Sequence, residues 1–420
     1  MPGEPRHRSG SHARSGLGRR VAQPLLRFAQ LEAAGGIALL GAAVAALVWA
    51  NLPLGESYQR FWGIGFGWDG GPIHLDLTLR DLVNDGLMVL FFFVIGLEIK
   101  RELVLGELRD RRRAMLPVVA AVGGMAFPAL IYLGLTAGTG ATHGWAVPVA
   151  TDIAFSAGVV SLLGKRVPVG ARLFLLTLAV ADDIGGVAAI ALFYSKGLAY
   201  GWLAAGIGGL ALMWGAGRAG VRSPGFYLPV AMIGWFCVLQ SGVHAALAGV
   251  AFGLLTPAHP NRRTLKQEAP APVVHLETAF QPWSAFAVAP LFALANSGVR
   301  FAGTGLLDAV THRVALGVAV GLVLGKLMGI SAFTLLAVKL RLGRLPRRTG
   351  WRHIVGLAAV AGIGFTVALF VADVSFGGSL VGDRARTGIF MGSLVAGVLG
   401  YWLLRSAKPV DEPGHDEASS

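Results

Sequence analysis

The sequence contains few cysteines and few charged residues. Its 420 residues include one cysteine, Cys237, so an intrachain disulfide is impossible and a cysteine metal site is not expected. Charged residues make up 14% of the chain, whereas soluble domains carry about a quarter. The ten histidines show no metal-ligand spacing, and we find neither a phosphate-binding glycine-rich loop nor a nucleophile elbow. We therefore predict neither an enzyme nor a bound cofactor.

Long apolar runs recur along nearly the whole chain, 54% of which is hydrophobic. A membrane-spanning helix needs roughly 20 apolar residues, because it rises about 1.5 Å per residue across a hydrocarbon core of about 30 Å. By this criterion we count about twelve candidate segments: 33–53, 82–99, 114–136, 145–163, 173–195, 201–217, 226–240, 242–257, 283–299, 314–338, 354–376 and 386–404. These runs are too long for barrel strands, so the sequence predicts an all-α polytopic membrane protein.

Polar segments divide the chain into an arm, a membrane domain and a tail. We assign residues 1–27 to a basic N-terminal arm that lacks an obvious signal-peptide cleavage site, 28–405 to the membrane domain and 406–420 to a disordered tail. In the loop 54–81, the alternating stretch HLDLTLR follows the turn signal DGGP and predicts a short hairpin. A second loop, 258–282, contains several prolines and is predicted to be a connector.

Lysine and arginine are concentrated on alternate loops. If the N-terminus is cytoplasmic and twelve helices alternate, the cytoplasmic segments hold 28 of the 36 Lys and Arg residues, and the external segments hold seven. Loops rich in positive charge stay in the cytoplasm. We therefore expect both termini and the 258–282 loop to be cytoplasmic and the 54–81 loop to be external. The net charge of +13 then follows from topology, and no nucleic-acid partner is predicted.

Two segments carry residues that interrupt a helix near its middle. The fourth contains WAVPVATDIAFSAGVV, in which Pro148 precedes Thr151 and Asp152. The eleventh contains AAVAGIGFTVALF, with Gly362 and Gly364 at mid-span. Paired interruptions of this kind are typical of inverted-repeat transporters, whose binding site lies at the midplane of the bilayer.

Two adjacent aspartates, Asp182 and Asp183, occur within the apolar stretch TLAVADDIGGVAAIALF. A charged side chain at the centre of the bilayer costs about 2.5–3.5 kcal/mol, so the two together are expensive unless they are neutralised. Burial and mutual repulsion both favour binding of a proton. The same carboxylate can bind a hard cation such as Na⁺, but not together with the proton. Competition between H⁺ and Na⁺ for this pair, with access alternating between the two sides, is sufficient for antiport.

Asp152 and Lys326 are suited to surround such a site. If segments four and eleven break, half-helix ends face one another, with positive N-termini and negative C-termini. Asp152 can offset the N-terminal ends. Lys326 can offset the C-terminal ends or pair with a carboxylate, and it can release its proton when a cation displaces it.

The remaining charges within or near the spans have simpler interpretations. Asp85 and Asp373 lie near span ends, where a buried ion pair or a hydrogen bond between helices accounts for them. His244 fits a helix-packing histidine, with a pH-responsive role as the alternative. Glu98 and Glu102 lie towards a cytoplasmic end, where they form either a solvated face or a funnel that attracts cations.

Several stretches together resemble the NhaA-type bacterial sodium/proton antiporters. They are VNDGLMVLFFFVIGLEIKREL, PVATDIAFSAGV, LLTLAVADDIGGVAAIALFY, SGVHAALAGV, PLFALANSGV, GLVLGKLMGIS and AGIGFTVALF, and the similarity runs from about residue 25 to 405. The resemblance implies twelve helices in a bacterial inner membrane, with helices four and eleven broken and crossing, and a homodimer joined by the 54–81 hairpin. It also implies electrogenic exchange of protons for Na⁺ or Li⁺.

The resemblance also assigns roles to individual residues. It implies that Asp183 is the principal cation carboxylate, that Asp182 is a second essential carboxylate paired with Lys326 in one state, and that Thr151 and Asp152 line the break in helix four. It places Glu98, His244 and Glu277 at positions linked to pH response near the cytoplasmic mouth. The chain departs from the family at Thr278, where better-known members have an ionisable residue, at Asp373, where a neutral residue is usual, and in its longer, more basic arm.

Other membrane functions use some of the same residue types. An intramembrane aspartyl protease takes its two aspartates from different helices, one of them in a GxGD setting that is missing here. A cation channel would need a re-entrant filter loop, which the sequence does not show. A K⁺/H⁺ exchanger or a sodium-coupled solute symporter of similar architecture remains an alternative, and uptake of an organic solute would identify the symporter.

Overall fold

The computed structural model describes residues 34–53, 55–70, 73–194, 199–221, 224–258, 271–299 and 310–407. The N-terminal arm, the tail beyond residue 407 and residues 259–270 of the predicted connector lie outside the described residues. The helices, in chain order, are α1 (Ala34–Asn51), α2 (Gly55–Trp62), α3 (Leu79–Val104), α4 (Arg111–Thr136), α5 (Ile153–Leu162), α6 (Val169–Phe193), α7 (Tyr200–Arg218), α8 (Pro224–Gln240), α9 (Ala246–Leu255), α10 (Pro272–Asn296), α11 (Arg313–Lys339), α12 (Trp351–Val360), α13 (Phe365–Phe376) and α14 (Leu380–Ser406).

The prediction of an all-α polytopic membrane protein is confirmed. Within the described ranges, eight helical spans are long and apolar enough to cross a membrane, and the bent pair α12–α13 makes a ninth. The predicted seventh and eighth segments are the shorter apolar helices α8 and α9. The count of twelve spans stays a prediction.

Two helices extend into segments that the sequence suggested to be loops. α10 begins at Pro272, so the last part of the 258–282 segment is helical. The helix forms there because Pro272 stands at its first turn and Val273 is fully buried against Leu97 and Ala258. Similarly, the short helix α2 precedes the hairpin in the 54–81 segment.

The predicted hairpin is present. Strand β1 (Gly65–Gly70) pairs antiparallel with β2 (Ile73–Thr78), in a register that runs from Gly65 opposite Thr78 to Gly70 opposite Ile73. Thr78 then caps the first turn of α3 in a reciprocal capping box with Asp81. We call this end of the molecule the hairpin side, and the end with the arginine-rich loops before α4 and α12 the basic side.

Two sets of three spans share one pattern: a long helix, a broken helix and another long helix. The first set is α4, the broken span Thr142–Leu162 and α6; the second is α11, the bent pair α12–α13 and α14. Helices α4 and α11 pack antiparallel, with Gly123 against Gly329, so the two sets run in opposite directions. A Cβ atom at either glycine would collide with the facing backbone, which explains why small residues occur there.

The helices form two bundles that meet along a seam. Helices α4 to α6 and α11 to α14 pack against one another as the repeat bundle, whereas α1 to α3 and α7 to α10 form the flanking bundle. At the seam, α3 faces α6, and α10 faces α13. The residues singled out by the sequence lie along this seam or just behind it.

Candidate cation-binding site

The two broken spans meet at Asp152, which caps two helices at once. Its Oδ1 atom accepts a hydrogen bond from the backbone N–H of Phe155 in α5, at 3.1 Å. Its Oδ2 atom accepts one from the backbone N–H of Thr366 in α13, at 3.0 Å, and one from the Thr366 hydroxyl, at 2.6 Å. A carboxylate is stabilised by the positive end of a helix, and here two such ends converge on one side chain. Asp152 is therefore in the arrangement that offsets the positive charge at the crossing.

Hydroxyl groups satisfy the negative end of α12. Thr151 Oγ1 donates to the carbonyl of Ala361 at 2.9 Å, and Ser156 Oγ donates to that of Val360 at 3.1 Å. The backbone N–H of Asp152 donates to the carbonyl of Ile363 at 2.6 Å. The carbonyls at the C-terminal end of α12 thus accept hydrogen bonds from residues close in sequence to Asp152. Lys326 is not needed to satisfy them and makes a different contact.

Gly362 and Gly364 lie between α12 and α13, where the chain bends by 44°. A Cβ atom on Gly364 would stand 2.8 Å from the side chain of Leu322 and 3.0 Å from the Ala150 carbonyl oxygen. Neither glycine has a positive φ angle, so the backbone conformation does not require glycine. Glycine is needed here because the two broken spans cross in close contact.

Lys326 pairs with Asp182 behind the crossing. Its Nζ atom donates to Asp182 Oδ2 at 2.5 Å, and both side chains are fully buried. This is the pairing that the resemblance implies. Lys326 follows the π-helical turn Gly321–Gly325, a local irregularity that is frequent at functional sites. Asp182 Oδ1 has no hydrogen-bond partner among the described residues, but Asp182 is not among the residues that line the neighbouring cavity.

Asp183 faces a cavity instead of an ion pair. Because adjacent residues on a helix point about 100° apart, Asp183 cannot share the direction of Asp182. It lines a cavity of about 90 Å³ between the two bundles. No hydrogen bond or ion pair joins its carboxylate to the described residues. The polar residues that line the cavity are Asp183, Asp152, Thr151, Thr366, Glu98, Gln281 and Ser284.

This cavity has the composition of a site for a hard cation. Na⁺ prefers oxygen ligands, and the cavity wall supplies them from carboxylates, hydroxyls and an amide. The volume is large enough for a cation with a few water molecules. Asp152 already accepts three hydrogen bonds, whereas Asp183 and Glu98 accept none from the described residues, so these two carboxylates of the cavity are open to a proton or a metal ion.

Comparison with known proteins identifies the family. The family model described as Na⁺/H⁺ antiporter 1 matches residues 26–404. The chain belongs to this antiporter family. Its relatives are named as transporters rather than enzymes.

Three relatives illustrate the extent of the match to this antiporter family. The Na(+)/H(+) antiporter NhaA of Pseudomonas putida (strain GB-1) is 47% identical over 388 residues, which cover 91% of this chain and 98% of the relative. The Na(+)/H(+) antiporter NhaA of Shewanella loihica (strain ATCC BAA-1088 / PV-4) is 44% identical, with 91% and 97% covered. The Na(+)/H(+) antiporter NhaA 2 of Sorangium cellulosum (strain So ce56) is 42% identical, with 93% and 92% covered.

In this family member, Glu98 and Glu277 lie near one arginine at the end of α3. Arg101 Nε donates to both carboxylate oxygens of Glu277, at 2.8 and 3.0 Å, and its Nη1 atom donates to Glu102 at 2.6 Å. Glu98 lies one turn earlier on α3 and lines the cavity. Thr278, the departure from the family pattern, only hydrogen-bonds back to its own helix. The cavity therefore extends from Asp183 towards a group of charged residues on the basic side.

His244 does not join that group. It lies between α8 and α9, with its ring 6.4 Å from that of Phe370. α9 packs against α3 with Gly249 next to Val89. His244, before α9, is thus level with the first part of α3, on the hairpin side of the molecule. At about 1.5 Å per residue, this places it roughly 20 Å along α3 from Glu98.

Sequence reasoning missed the partners that hold the site together. Thr366 is the main one, and its signal was a hydroxyl residue directly after a glycine-rich break, where helix caps are common. Arg101 was counted only as a topological charge, although it stands one turn from Glu98 in the sequence. Asn84 also escaped notice, because the elements that it joins are far apart in the chain. Arg386, which pairs with Asp373 on the preceding helix, was counted only as a topological charge.

Proposed function

We propose that this protein exports Na⁺ in exchange for protons by competing occupancy of Asp183. The proposal rests on a difference between the two adjacent carboxylates. Asp182 is paired with Lys326, whereas Asp183 faces the cavity without a fixed partner. A proton and a sodium ion cannot occupy the same carboxylate oxygens at once. Binding one therefore releases the other, and exchange follows when the site opens to each side in turn.

The buried pair suggests how more than one proton moves per cation. A cation that binds between Asp183 and the free oxygen of Asp182 weakens the contact of Asp182 with Lys326. Lys326 is then a buried ammonium without a partner, and it is stabilised by giving up its proton. Loss of one proton from Asp183 and one from Lys326 per Na⁺ makes the exchange electrogenic, driven by the inward proton gradient.

Asp152 has a different task in this mechanism. Both of its oxygens accept hydrogen bonds from the two helix ends, so it keeps the crossing in place and holds a fixed negative charge beside the cation. Thr151 and Thr366 present oxygen atoms at the same wall of the cavity. These groups favour a small, hard cation, and we include Li⁺ with Na⁺ as a substrate.

Orientation follows from the distribution of charge. With the basic side cytoplasmic and the hairpin side external, the protein lies in the bacterial inner membrane with both termini inside. The cavity extends from Asp183 towards Glu98 on the basic side, so the described conformation receives Na⁺ from the cytoplasm. Glu98 and Glu277 around Arg101 are placed to make binding depend on pH, and His244 would act at a separate position.

The resemblance also suggests a homodimer. Strands β1 and β2 pair only with each other within the described chain, so their outer edges are free to pair with the hairpin of a second copy. Cross-linking of hairpin cysteines in the membrane tests this part separately.

The exchange itself is tested by recovery of a trapped pH dye in proteoliposomes or everted vesicles after addition of Na⁺, Li⁺ or K⁺. Asp183→Asn should abolish the Na⁺ response while the protein stays folded in the membrane. Asp182→Asn should also fail, and a mild effect would favour a mechanism with one carboxylate. Retained exchange in Asp183→Asn would remove Asp183 from the site, and a response to K⁺ alone would identify a K⁺/H⁺ exchanger.

Calorimetry in buffers of different ionisation enthalpy tests the competition directly. Na⁺ binding should release protons in the unmodified protein, and Asp183→Asn should bind no Na⁺. If Na⁺ binds and no proton is released between mildly acidic and alkaline pH, competing occupancy is wrong. Uptake of an organic solute together with Na⁺ would point instead to a symporter.

A further inference from the structure

Three side chains follow one another along one face of α13. Thr366, Phe370 and Asp373 are four and three residues apart, so they lie on the same side of the helix. Thr366 lines the cation cavity. Phe370 lies between it and Asp373, which is about 10 Å further towards the hairpin side.

The facing surface of α3 repeats this order. Glu98 and Ile95 line the cavity, Phe92 follows, and Asn84 lies near the hairpin-side end of the helix. The rings of Phe92 and Phe370 meet across the seam, with centroids 4.9 Å apart. Phe292 of α10 completes the layer, 6.2 Å from Phe370. All three rings are at most 2% exposed, so they separate the cavity from the hairpin side.

A polar contact closes the seam beyond the aromatic layer. Asn84 Nδ2, in the flanking bundle, donates to Asp373 Oδ2, in the repeat bundle, at 2.8 Å. Arg386 of α14 donates to the other oxygen of Asp373 at 3.0 Å, within the repeat bundle. Asn296 of α10 donates to Asn84 Oδ1 at 2.7 Å, within the flanking bundle. Each partner of the cross-seam contact is therefore also anchored in its own bundle.

We propose that the hydrogen bond between Asn84 and Asp373 is a gate latch, which keeps the cation site closed to the hairpin side while the cavity faces the basic side. It would have to break before Asp183 can exchange ions with the hairpin side. The inference rests on the proposed alternating exposure of Asp183. It assigns Asp373, a departure from the family pattern, a role in access rather than in cation binding.

The other contacts of Asn84 and Asp373 allow the hydrogen bond between them to break. When the seam separates at this point, Asp373 keeps Arg386 and Asn84 keeps Asn296, so neither side chain is left without a partner. Asp373 is also 20% exposed, so water can replace the lost donor. Asn84 lies in the π-helical turn Leu82–Leu87, which provides a local irregularity where α3 meets the repeat bundle.

Thiol accessibility tests the latch without measuring transport. Cys237 is the single native cysteine, so Cys237→Ala provides a background in which Val94→Cys reports on the cavity wall. In that background, a membrane-impermeant maleimide should label residue 94 from the basic side. Asn84→Ala should raise labelling from the hairpin side about ten- to hundredfold, the shift expected for losing a hydrogen bond to a charged group.

Asn51→Ala is the matched control. Asn51 Nδ2 donates at 2.7 Å to Val299, and both residues belong to the flanking bundle. Loss of the Asn51 hydrogen bond should change the stability of the protein but not the ratio of residue-94 labelling from the two sides. An unchanged ratio in Asn84→Ala, or an equal change in both variants, would overturn the latch.

A cross-link supplies the opposite perturbation. The double variant Asn84→Cys and Asp373→Cys, in the Cys237→Ala background, can be joined by a short, reducible thiol reagent. Exchange of Na⁺ for protons should proceed before the reaction, stop after it and return on reduction. Continued exchange in the cross-linked protein would contradict the proposal. Single-cysteine variants treated with the same reagent should stay active. Absence of exchange in the untreated native protein would count against the transport proposal itself.

Discussion

Replacement of Asp152 by asparagine separates its role in the fold from a role in cation binding. Both carboxylate oxygens of Asp152 face donors: Phe155 N–H on one side, and the N–H and hydroxyl of Thr366 on the other. An asparagine side chain has one acceptor and one donor. Whichever way the amide is turned, its NH₂ group must face a backbone N–H.

Two contributions determine how much Asp152→Asn lowers the free energy of unfolding. A buried N–H without an acceptor costs about 1–3 kcal/mol. Loss of the negative charge near two helix N-termini removes about 0.3–1 kcal/mol at each. We therefore expect Asp152→Asn to lower the free energy of unfolding by about 2–5 kcal/mol. Thr366→Val is the matched control, because it removes one hydroxyl donor and keeps both backbone donors, and it should cost about 1.5–3 kcal/mol, the value for a hydrogen bond to a charged group.

Thermal unfolding in detergent measures this loss, and Na⁺-dependent dye recovery measures the effect on exchange. We expect Asp152→Asn to unfold at a lower temperature than Thr366→Val, because it also removes the charge at two helix ends. At temperatures where the variant is folded, its apparent Na⁺ affinity should fall less than tenfold. If its stability is unchanged while Na⁺ affinity falls strongly, Asp152 is a direct cation ligand and the double-cap reasoning is refuted.

Three further predictions use other parts of the molecule. Lys326→Met should destabilise the protein by about 3–5 kcal/mol because it leaves a buried carboxylate unpaired, and adding Asp182→Asn should restore part of the loss in a double-mutant cycle of unfolding temperatures. Gly364→Ala should cost about 1–3 kcal/mol and impair exchange, since the broken spans cannot cross as closely. Gly397→Ala, where a Cβ atom would make an ordinary contact, should be nearly neutral in both assays. Burial raises the pKa of the Tyr58 hydroxyl above its usual 10.0. The stability that Tyr58 contributes is then present below pH 10 and is lost as the pH rises further, and Tyr58→Phe should remove that part of the alkaline loss in unfolding scans.

The central site was readable from the sequence because its residues contrast with their surroundings. Asp182 and Asp183 stand out in an apolar run, and their adjacency alone requires that they face different neighbours. The structure gives one of them to Lys326 and the other to the cavity. The breaks at Asp152 and Gly364 were visible for the same reason, since proline, glycine and acid interrupt an otherwise regular apolar pattern.

Partners far apart in the chain could not be predicted in this way. Thr366 reaches Asp152, and Asn84 reaches Asp373, only after the spans have packed. Threonine and asparagine carry no charge, so they stand out less than the aspartates in an apolar helix. The start of α10 was missed for a different reason: the prolines of the 258–282 segment indicated a connector, although Pro272 stands at the first turn of the helix, where proline is favoured.

The buried acids differ in how firmly their charge is held, and this difference supports the proposal that Asp183 is the exchanging group. Asp152 is held by two helix ends, Asp182 by Lys326 and Glu277 by Arg101, so a cation that approaches any of them must displace a donor already in place. Asp183 has no such donor among the described residues, and it faces the cavity. Glu98 also lines the cavity without a donor among the described residues, but Asp183 adjoins the Asp182–Lys326 pair, which supports the proposal that Asp183 trades a proton for a metal ion. The neighbouring pairs keep the surrounding charge fixed while it does so.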